Sequence, residues 1–326
     1  MLRVLFLTDD REDYLADSII HGLRQLDDVE ITDYPRKECL YKDLEKKYKQ
    51  SLRGGGFTLY GLLLEPTTNI HRGQIWKRLE DGYFNAVIIS NIWRQWGIIL
   101  QWAQLLTKQT LILLDGDDDE RYYPKSKSRY KTFGVGTGLR KLLNMKSTHM
   151  FKREWTEQTS WYLHPCNMHR TSFAIPEEKI VVDSLNKQQL FPTHIVDKQV
   201  ASLLGKNSSY AFLEEEDYRR DLSSARFGVT CRRSGWDCLR HYEIAAAGAI
   251  PCFRDLTLKP SQCAPHGLLD GINCIAYENP KNLFDRIKNL KPEQEIEIRR
   301  KTLDWAKVNT TKKRALEILN ESGLGK

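Results

Sequence analysis

The sequence predicts an α/β protein of two domains, each a parallel β-sheet covered by helices on both faces. Three observations point that way. The chain has 326 residues, more than one core of ordinary size uses and enough for two domains of roughly 150 residues each. Strand-like and helix-like segments alternate in both halves, the order that builds strand–helix–strand units in a parallel sheet. Between the halves, over about 120–175, the alternation lapses, and it resumes beyond Ile175-Pro176-Glu177. The residue before a proline is biased away from helix, which favours a break there. The junction near that point divides a first domain, 1–170, from a second, 171–300.

In the first domain, 2–7 is an almost continuous apolar run, as expected of a strand buried on both faces. A helix follows over 14–26, with Leu15, Ile19, Leu23 and Leu26 at helical spacing, and 29–32 reads as the second strand. Residues 41–53 are strongly basic and end in Gly54-Gly55-Gly56, a flexible excursion. Then come a helix at 75–79, a strand at 84–90, a helix at 92–106 and a strand at 110–114 running into Asp115-Gly116. In the second domain, strands are expected at 210–213, 227–231, 250–253 and 274–277, and helices at 216–225 and 237–248. Pro292 opens a long amphipathic helix towards Leu319, with proline in the first turn, where its missing N–H costs nothing.

Composition narrows the function classes. Hydrophobic residues make up 40% and charged residues 29%, which fits a soluble folded protein and not a disordered one. The longest apolar runs, such as 98–100 and 111–114, fall far short of a membrane span. The start, 1–7, has no small-residue cleavage site and reads as a core strand, not a signal peptide. Seven cysteines, at 39, 166, 231, 238, 252, 263 and 274, include no C-x-x-C pair. That argues against a zinc site or a disulfide framework and for a reducing, cytoplasmic setting. A net charge of +7 permits an anionic partner, whether phosphate, acidic glycan, membrane surface or nucleic acid, without choosing among them.

The segment that carries chemistry is 225–253: a strand, the basic loop Arg232-Arg233-Ser234-Gly235-Trp236, a helix from Asp237, Gly248, and a second strand. In an open parallel sheet, ligands bind beyond the carboxyl ends of strands, where this loop lies. Free N–H groups at a helix start favour phosphate, and Gly235 allows the backbone to come close. Arg232, Arg233 and Arg240 can add bidentate, charge-assisted bonds to a diphosphate. Asp237 is placed to cap the helix, and Gly248 to end it in a left-handed turn. Arg240 and Glu243 are three apart and share a helix face. A carboxylate there can accept from both hydroxyls of a ribose. Alone, an Arg-x-x-Glu pair is equally a solvated salt bridge; the combination with loop, cap, small-residue helix and proline exit favours a site for a ribose and a diphosphate.

At these residues the segment resembles the donor-binding half of GT-B glycosyltransferases. The run Arg-x-x-Glu-Ile-Ala-Ala-Ala-Gly-Ala-Ile-Pro, 240–251, is similar to the corresponding stretch of exostosin-like and spore-coat CgeB-like members. The resemblance is specific over about 30 residues and looser over the whole chain. It implies two Rossmann-like domains facing each other across a cleft, with a C-terminal helix, 301–326, crossing back to the first. It further implies Glu243 as the ribose ligand and Arg240, with Arg232 or Arg233, as diphosphate ligands. Many retaining members carry a second Glu eight positions before the ribose Glu; that position here is Gly235, which leaves the stereochemical outcome open. The expected function is transfer of a sugar from a nucleotide-sugar to an acceptor hydroxyl, without a cofactor or metal. The acceptor would be a surface polysaccharide or lipid-linked glycan, with peripheral contact at the inner membrane face. The alternatives are a phage-type DNA glycosyltransferase and a non-catalytic nucleotide-sugar-binding module. Donor binding is assigned to Arg232, Arg233, Ser234, Gly235, Trp236, Asp237, Arg240 and Glu243.

Further signals lie in the first domain. Asp115 and Asp117 follow a strand, and Asp9 and Asp10 follow another, so all sit at a carboxyl edge. Asp9, Asp115 and Asp117 are candidates for the base that takes the acceptor's proton, although such acids can equally cap the next element. Lys125, Lys127, Arg129 and Lys131 interleave with tyrosines, a strip that can hold an anionic acceptor or be a solvated loop. The Gly-rich 133–138 lacks the preceding strand and spacing of a dinucleotide fingerprint and reads as a hinge or turn. Phe151-Lys152-Arg153-Glu154 can line the cleft or form a surface charge cluster. His164 and His169 read as structural, and Trp93, Trp96 and Trp102 as core packing.

Overall fold

In a computed structural model, the structure describes residues 1–66, 72–91, 94–118, 120, 145–157, 167–182, 187–206, 208–209 and 212–325. The chain divides into two compact units. Unit 1 comprises Met1–Glu45, Leu59–Ser172 and Thr311–Lys326; unit 2 comprises Lys46–Thr58 and Phe173–Thr310. The 41–53 stretch is thus not a loose excursion: from Lys46 onward it is part of unit 2 and holds a short helix.

Unit 1 is built on a parallel sheet of β1 (Leu2–Leu7), β2 (Val29–Tyr34), β3 (Ala86–Ile89), β4 (Thr110–Asp115), β5 (Thr148–Lys152) and β6 (Asn167–Arg170), in the order β2-β1-β3-β4-β5-β6. Its helices include α1 (Tyr14–Leu23), α3 (Ile75–Glu80) and α4 (Trp96–Leu106), while α2 (Lys46–Ser51) belongs to unit 2. The apolar runs did what apolar runs do in a doubly covered sheet: Val4 to Leu7, Ala86 to Ile89 and Leu111 to Leu114 are all buried. Two strands lie inside the stretch expected to be irregular. β5 carries a buried Lys152 paired with Asp115 of the neighbouring β4. β6 is an edge strand, exposed or half-buried at every position, so neither strand shows an apolar run.

The first helix is capped by Asp13, whose Oδ1 accepts from the Ala16 N–H at 3.2 Å, so the capping role open to Asp9 and Asp10 falls to a neighbour. Every residue of α1 after Tyr14 is buried. Its outer face is covered by a helix from the other end of the chain. Gly22 shows why that contact is close: a Cβ there would stand 1.9 Å from the Thr311 carbonyl oxygen. His21 Nδ1 lies 2.9 Å from the Thr311 hydroxyl.

Unit 2 has a parallel sheet of β7 (Phe227–Cys231), β8 (Ile250–Arg254) and β9 (Ile275–Tyr277), in that order. Its helices include α5 (Lys198–Leu203), α6 (Glu215–Ser224), α7 (Leu239–Ala246), α8 (Pro280–Lys288) and α9 (Pro292–Val308). Of the strand expected at 210–213, the first two residues lie outside the described residues, and Phe212 and Leu213 are not in a strand. The helix expected to run from Pro292 to Leu319 is two helices, α9 and α10 (Thr311–Glu321). The break is at Asn309, whose φ of −109° and ψ of 39° leave the helical region and whose carbonyl accepts from the Ile175 N–H at 3.1 Å. The boundary between the units falls at the same place, so α9 stays in unit 2 and α10 belongs to unit 1.

Among the described residues, no helix is long and apolar enough to cross a membrane, and Cys39, Cys231, Cys238, Cys252, Cys263 and Cys274 are free thiols.

Candidate functional site

The site of interest is the carboxyl edge of the unit 2 sheet. Strand β7 ends at Cys231 and the chain turns through 232–238 into α7. Gly228 on β7 lets that helix lie flat on the strand: a Cβ there would meet the Ile244 side chain at 2.5 Å. The small residues Ala245, Ala246 and Ala247 are likewise buried. Gly248, at φ 70°, supplies the left-handed exit expected of it.

The loop is pinned from beneath by residues whose roles were not evident locally. His241, fully buried on α7, donates from Nε2 to the Trp236 carbonyl at 3.0 Å, since a carbonyl can only accept. Its Nδ1 lies 2.9 Å from the Thr230 hydroxyl on β7, and its ring stacks on Phe253. Asp237 is a second pin, and here the expectation is corrected. The N-cap of α7 is Cys238, with no side-chain cap bond. Asp237 is instead 3% exposed, accepting from the Phe173 N–H at 2.8 Å and the Tyr242 hydroxyl at 2.9 Å. Both oxygens are committed inside the protein, so Asp237 is withdrawn from the donor-contacting set. Trp236 is also buried, against Phe253, with the Arg232 guanidinium over its ring at 4.9 Å. Gly235, although buried, accepts at its carbonyl from the Arg233 N–H at 3.1 Å, closing the turn. Arg232, Arg233 and Ser234 are exposed.

Arg240 and Glu243 are brought together on α7, at 3.7 Å between Nε and Oε2, and both side chains are largely buried. Each also has partners from distant segments. The Arg240 guanidinium lies over the Tyr218 ring at 5.0 Å, and its Nη2 is 3.3 Å from His194 Nδ1. His194 Nε2 lies 3.2 Å from the Ser208 carbonyl. Donation from Nε2 to that carbonyl leaves Nδ1 to accept from Arg240. Burial pushes the His194 pKa down, and the positive charges of Arg240 and Arg233 add to that.

The Glu243 carboxylate has a hydroxyl on each oxygen. Thr58 Oγ1 donates to Oε1 at 2.6 Å and the Tyr218 hydroxyl to Oε2 at 2.5 Å. Beside it Glu215 accepts from the Thr58 N–H at 3.1 Å and pairs with Lys179 and, at 3.4 Å, with Lys49. Burial would raise the Glu215 pKa, but the Lys179 ammonium, with Lys49 and the Thr58 amide, holds it below the usual value. Thr58, Tyr218 and His194 are contacts of Glu243 and Arg240 that the sequence left unmarked.

The candidate base residues lie in unit 1, at the carboxyl edge of its sheet. Asp9, after β1, accepts from the Arg11 N–H at 2.8 Å and lies 3.6 Å from Arg94 and 4.0 Å from Lys37. Asp115, at the end of β4, pairs with Lys152 at 2.9 Å, and Asp117 accepts from Asn91 Nδ2 at 3.3 Å. Burial raises the Asp115 pKa despite the lysine. Asp13 shares Arg94 with Asp9 and is pushed up to about 6, by burial first and by Asp17 second. Lys152, Arg153 and Glu154 are all buried, so they are not a surface cluster. Lys125, Lys127, Arg129 and Lys131 lie outside the described residues, as do the 133–138 Gly-rich stretch, His164, Trp93 and the Trp96 side chain. Trp102 packs in the unit 1 core against Tyr34. His169 stacks on His149 and Phe151 and pairs with Glu321 at 3.1 Å, a structural setting. Among the described residues, no group of three or more His, Cys, Asp or Glu side chains is arranged to hold a metal ion.

Over almost its full length the chain is similar in structure to glycosyltransferases, and its architecture is the GT-B one of two Rossmann-like units in a single chain. Anabaena Alr3699/HepE in complex with UDP and glucose aligns with a TM-score of 0.52 at 8% identity, over 98% of this chain and 99% of that one. A glycosyltransferase from Rickettsia africae ESF-5 gives 0.52 at 10% identity, over 98% and 97%. Sucrose-phosphate synthase from Thermosynechococcus elongatus gives 0.51 at 9%, over 98% of each chain. No protein-family profile matches the chain, and no curated protein sequence matches it significantly.

Proposed function

We propose that the chain is a nucleotide-sugar-dependent glycosyltransferase that holds its donor on unit 2. One observation carries the reading. A largely buried Arg240–Glu243 pair lies on the first turns of α7, and the loop that leads into the same helix bears the exposed Arg232 and Arg233. A carboxylate already bonded to two hydroxyls has the right chemistry for a ribose diol. Guanidinium groups and an α7 start without a side-chain cap have the right chemistry for a diphosphate. The structural neighbours crystallised with UDP, or with UDP and glucose, support the same ligand class.

In this reading Glu243 anchors the ribose. Arg240, with Arg232 and Arg233, stabilises the negative charge that grows on the diphosphate as the glycosidic bond breaks, an electrostatic role that needs no metal. Ser234 and the Gly235 backbone line the same loop. The acceptor is assigned to unit 1, where Asp9, Asp115 and Asp117 are the candidate bases and Asp13 joins them. A carboxyl pushed up to about 6 takes a proton more readily than an ordinary one. We assign the acceptor as a surface polysaccharide or lipid-linked glycan, as the modest positive charge permits. The finer resemblance to exostosin-like and CgeB-like members rests on 240–251 alone.

The test is calorimetry of UDP, ADP and GDP, and of a UDP-sugar, against the full chain and Glu243→Ala. Binding weakened by about tenfold or more, with the thermal midpoint little changed, is expected from loss of charge-assisted hydrogen bonds. Equal affinity for the variant would remove the ribose assignment.

A further inference from the structure

The two hydroxyls on Glu243 differ in how firmly they are held. Tyr218 is 1% exposed on α6; Phe57 stacks on its ring from 53–58, and Phe212 and the Arg240 guanidinium pack it from outside that segment and hold it independently. It cannot leave without opening a hydrophobic cluster. Thr58 is held differently. Its φ is 75°, in the left-handed region that a β-branched residue rarely occupies. Ahead of it run Gly54, Gly55 and Gly56, at φ 62°, 69° and 68°. Glycines of this kind can absorb large dihedral changes, since they populate both signs of φ. Of the three, Gly54 has the room to turn: nothing lies within 4 Å of a Cβ placed there, whereas one on Gly56 would stand 2.6 Å from the Lys49 carbonyl oxygen. The strained conformation is kept by two acceptors outside the segment: Glu243 for the hydroxyl and Glu215 for the amide.

We infer that 53–58 is a gate on the donor site. In the free chain Thr58 occupies the carboxylate position that a ribose hydroxyl needs, and donor binding displaces it while Tyr218 stays and keeps Glu243 in place. The inference rests on the ribose assignment of Glu243 made above. Its chemistry is an exchange of like for like. A neutral hydroxyl donor leaves the carboxylate, a neutral hydroxyl donor from the ligand takes over, and release of the left-handed threonine favours the exchange. A ligand without the 2′ and 3′ hydroxyls has nothing to exchange and leaves Thr58 docked.

The gate is tested with Thr58→Val, which removes the hydroxyl and keeps the shape. The full chain is titrated with whichever of UDP, ADP and GDP binds the wild type, and with its 2′,3′-dideoxy form. The variant should bind the ribonucleotide about fivefold or more tightly, the range of ordinary coupling between a ligand and a conformational equilibrium, and the dideoxy form no better than wild type does. In the wild-type chain, hydrogen exchange at the Thr58 amide, now protected by Glu215, should quicken on adding the ribonucleotide. Unchanged or weaker ribonucleotide binding by Thr58→Val, or slower exchange at Thr58, overturns the gate, provided Glu243→Ala still weakens binding. If Glu243→Ala binds as wild type does, or no nucleotide binds at all, the donor site itself falls and the gate with it.

Discussion

The carboxyl edges of the two sheets are built from similar residues and put to opposite use. At the unit 1 edge, charge is turned inward. Lys37, Lys152 and Arg153 are buried and engage Asp17, Asp115, Asp118 and Glu154. At the unit 2 edge, Arg232 and Arg233 stand in solvent, while Arg240 is drawn in against Glu243 and Arg254 pairs with Asp197. A buried ion pair whose members satisfy each other is an architectural joint; breaking one partner strands the other. Exposed guanidiniums cost the fold little and leave charge available to a ligand. The contrast predicts that breaking a buried ion pair at the first edge acts on stability, and that removing an exposed guanidinium at the second acts on binding.

The largest effect is expected for Lys152→Met. It removes the ammonium that lies 2.9 Å from Asp115 and is fully buried, and the loss should be about 3 kcal/mol or more in denaturant unfolding. A loss under about 1 kcal/mol would mean that Asp115 finds water and that the edge is open after all. Asp13→Asn should act through pH. The folded-state pKa of Asp13, about 6, lies above its ordinary 3.8, so the folded chain binds the extra proton between those values. Its contribution to stability is therefore complete below about pH 4 and is lost as pH rises towards 6. The Asn variant still caps α1 and should flatten that fall by on the order of 2 kcal/mol; parallel stability profiles from pH 4 to 7 would refute it. The smallest stability effect is expected for Arg232→Ala with Arg233→Ala, within about 0.5 kcal/mol of wild type. The same double variant should weaken nucleoside diphosphate binding and lessen its sensitivity to salt. Loss of stability without loss of binding would show that the second edge is architectural too.

Legibility in the sequence followed the range of the interactions involved. β1, β3, β4, β7 and β8 show in apolar runs because burial on both faces leaves no room for polar residues. β5 was hidden because the charge on Lys152 is cancelled by Asp115, 37 residues earlier, a pairing that no local window contains. At the candidate site, α7, the Arg240–Glu243 pair and the Gly248 exit could be found because they are short-range features of one helix. Thr58, Tyr218 and His194 come from three remote segments, and only tertiary structure sets them beside Glu243 and Arg240. The one local trace is Tyr218 itself, a lone aromatic among the charges of 214–220. Asp237 was misplaced for the opposite reason. It stands one residue ahead of the true cap, where local chemistry predicts capping, but the fold offers it the Phe173 amide and the Tyr242 hydroxyl.

The approach of Gly22 to Thr311 fixes an order of events during synthesis. His21 and Thr311 are 290 residues apart in the chain, so the first helix leaves the ribosome long before the segment that covers it has been translated. Until then the part of α1 that meets Thr311 has no covering helix. A frameshift or stop codon just ahead of Thr311 would leave the nascent unit 1 open and make it a target for quality control.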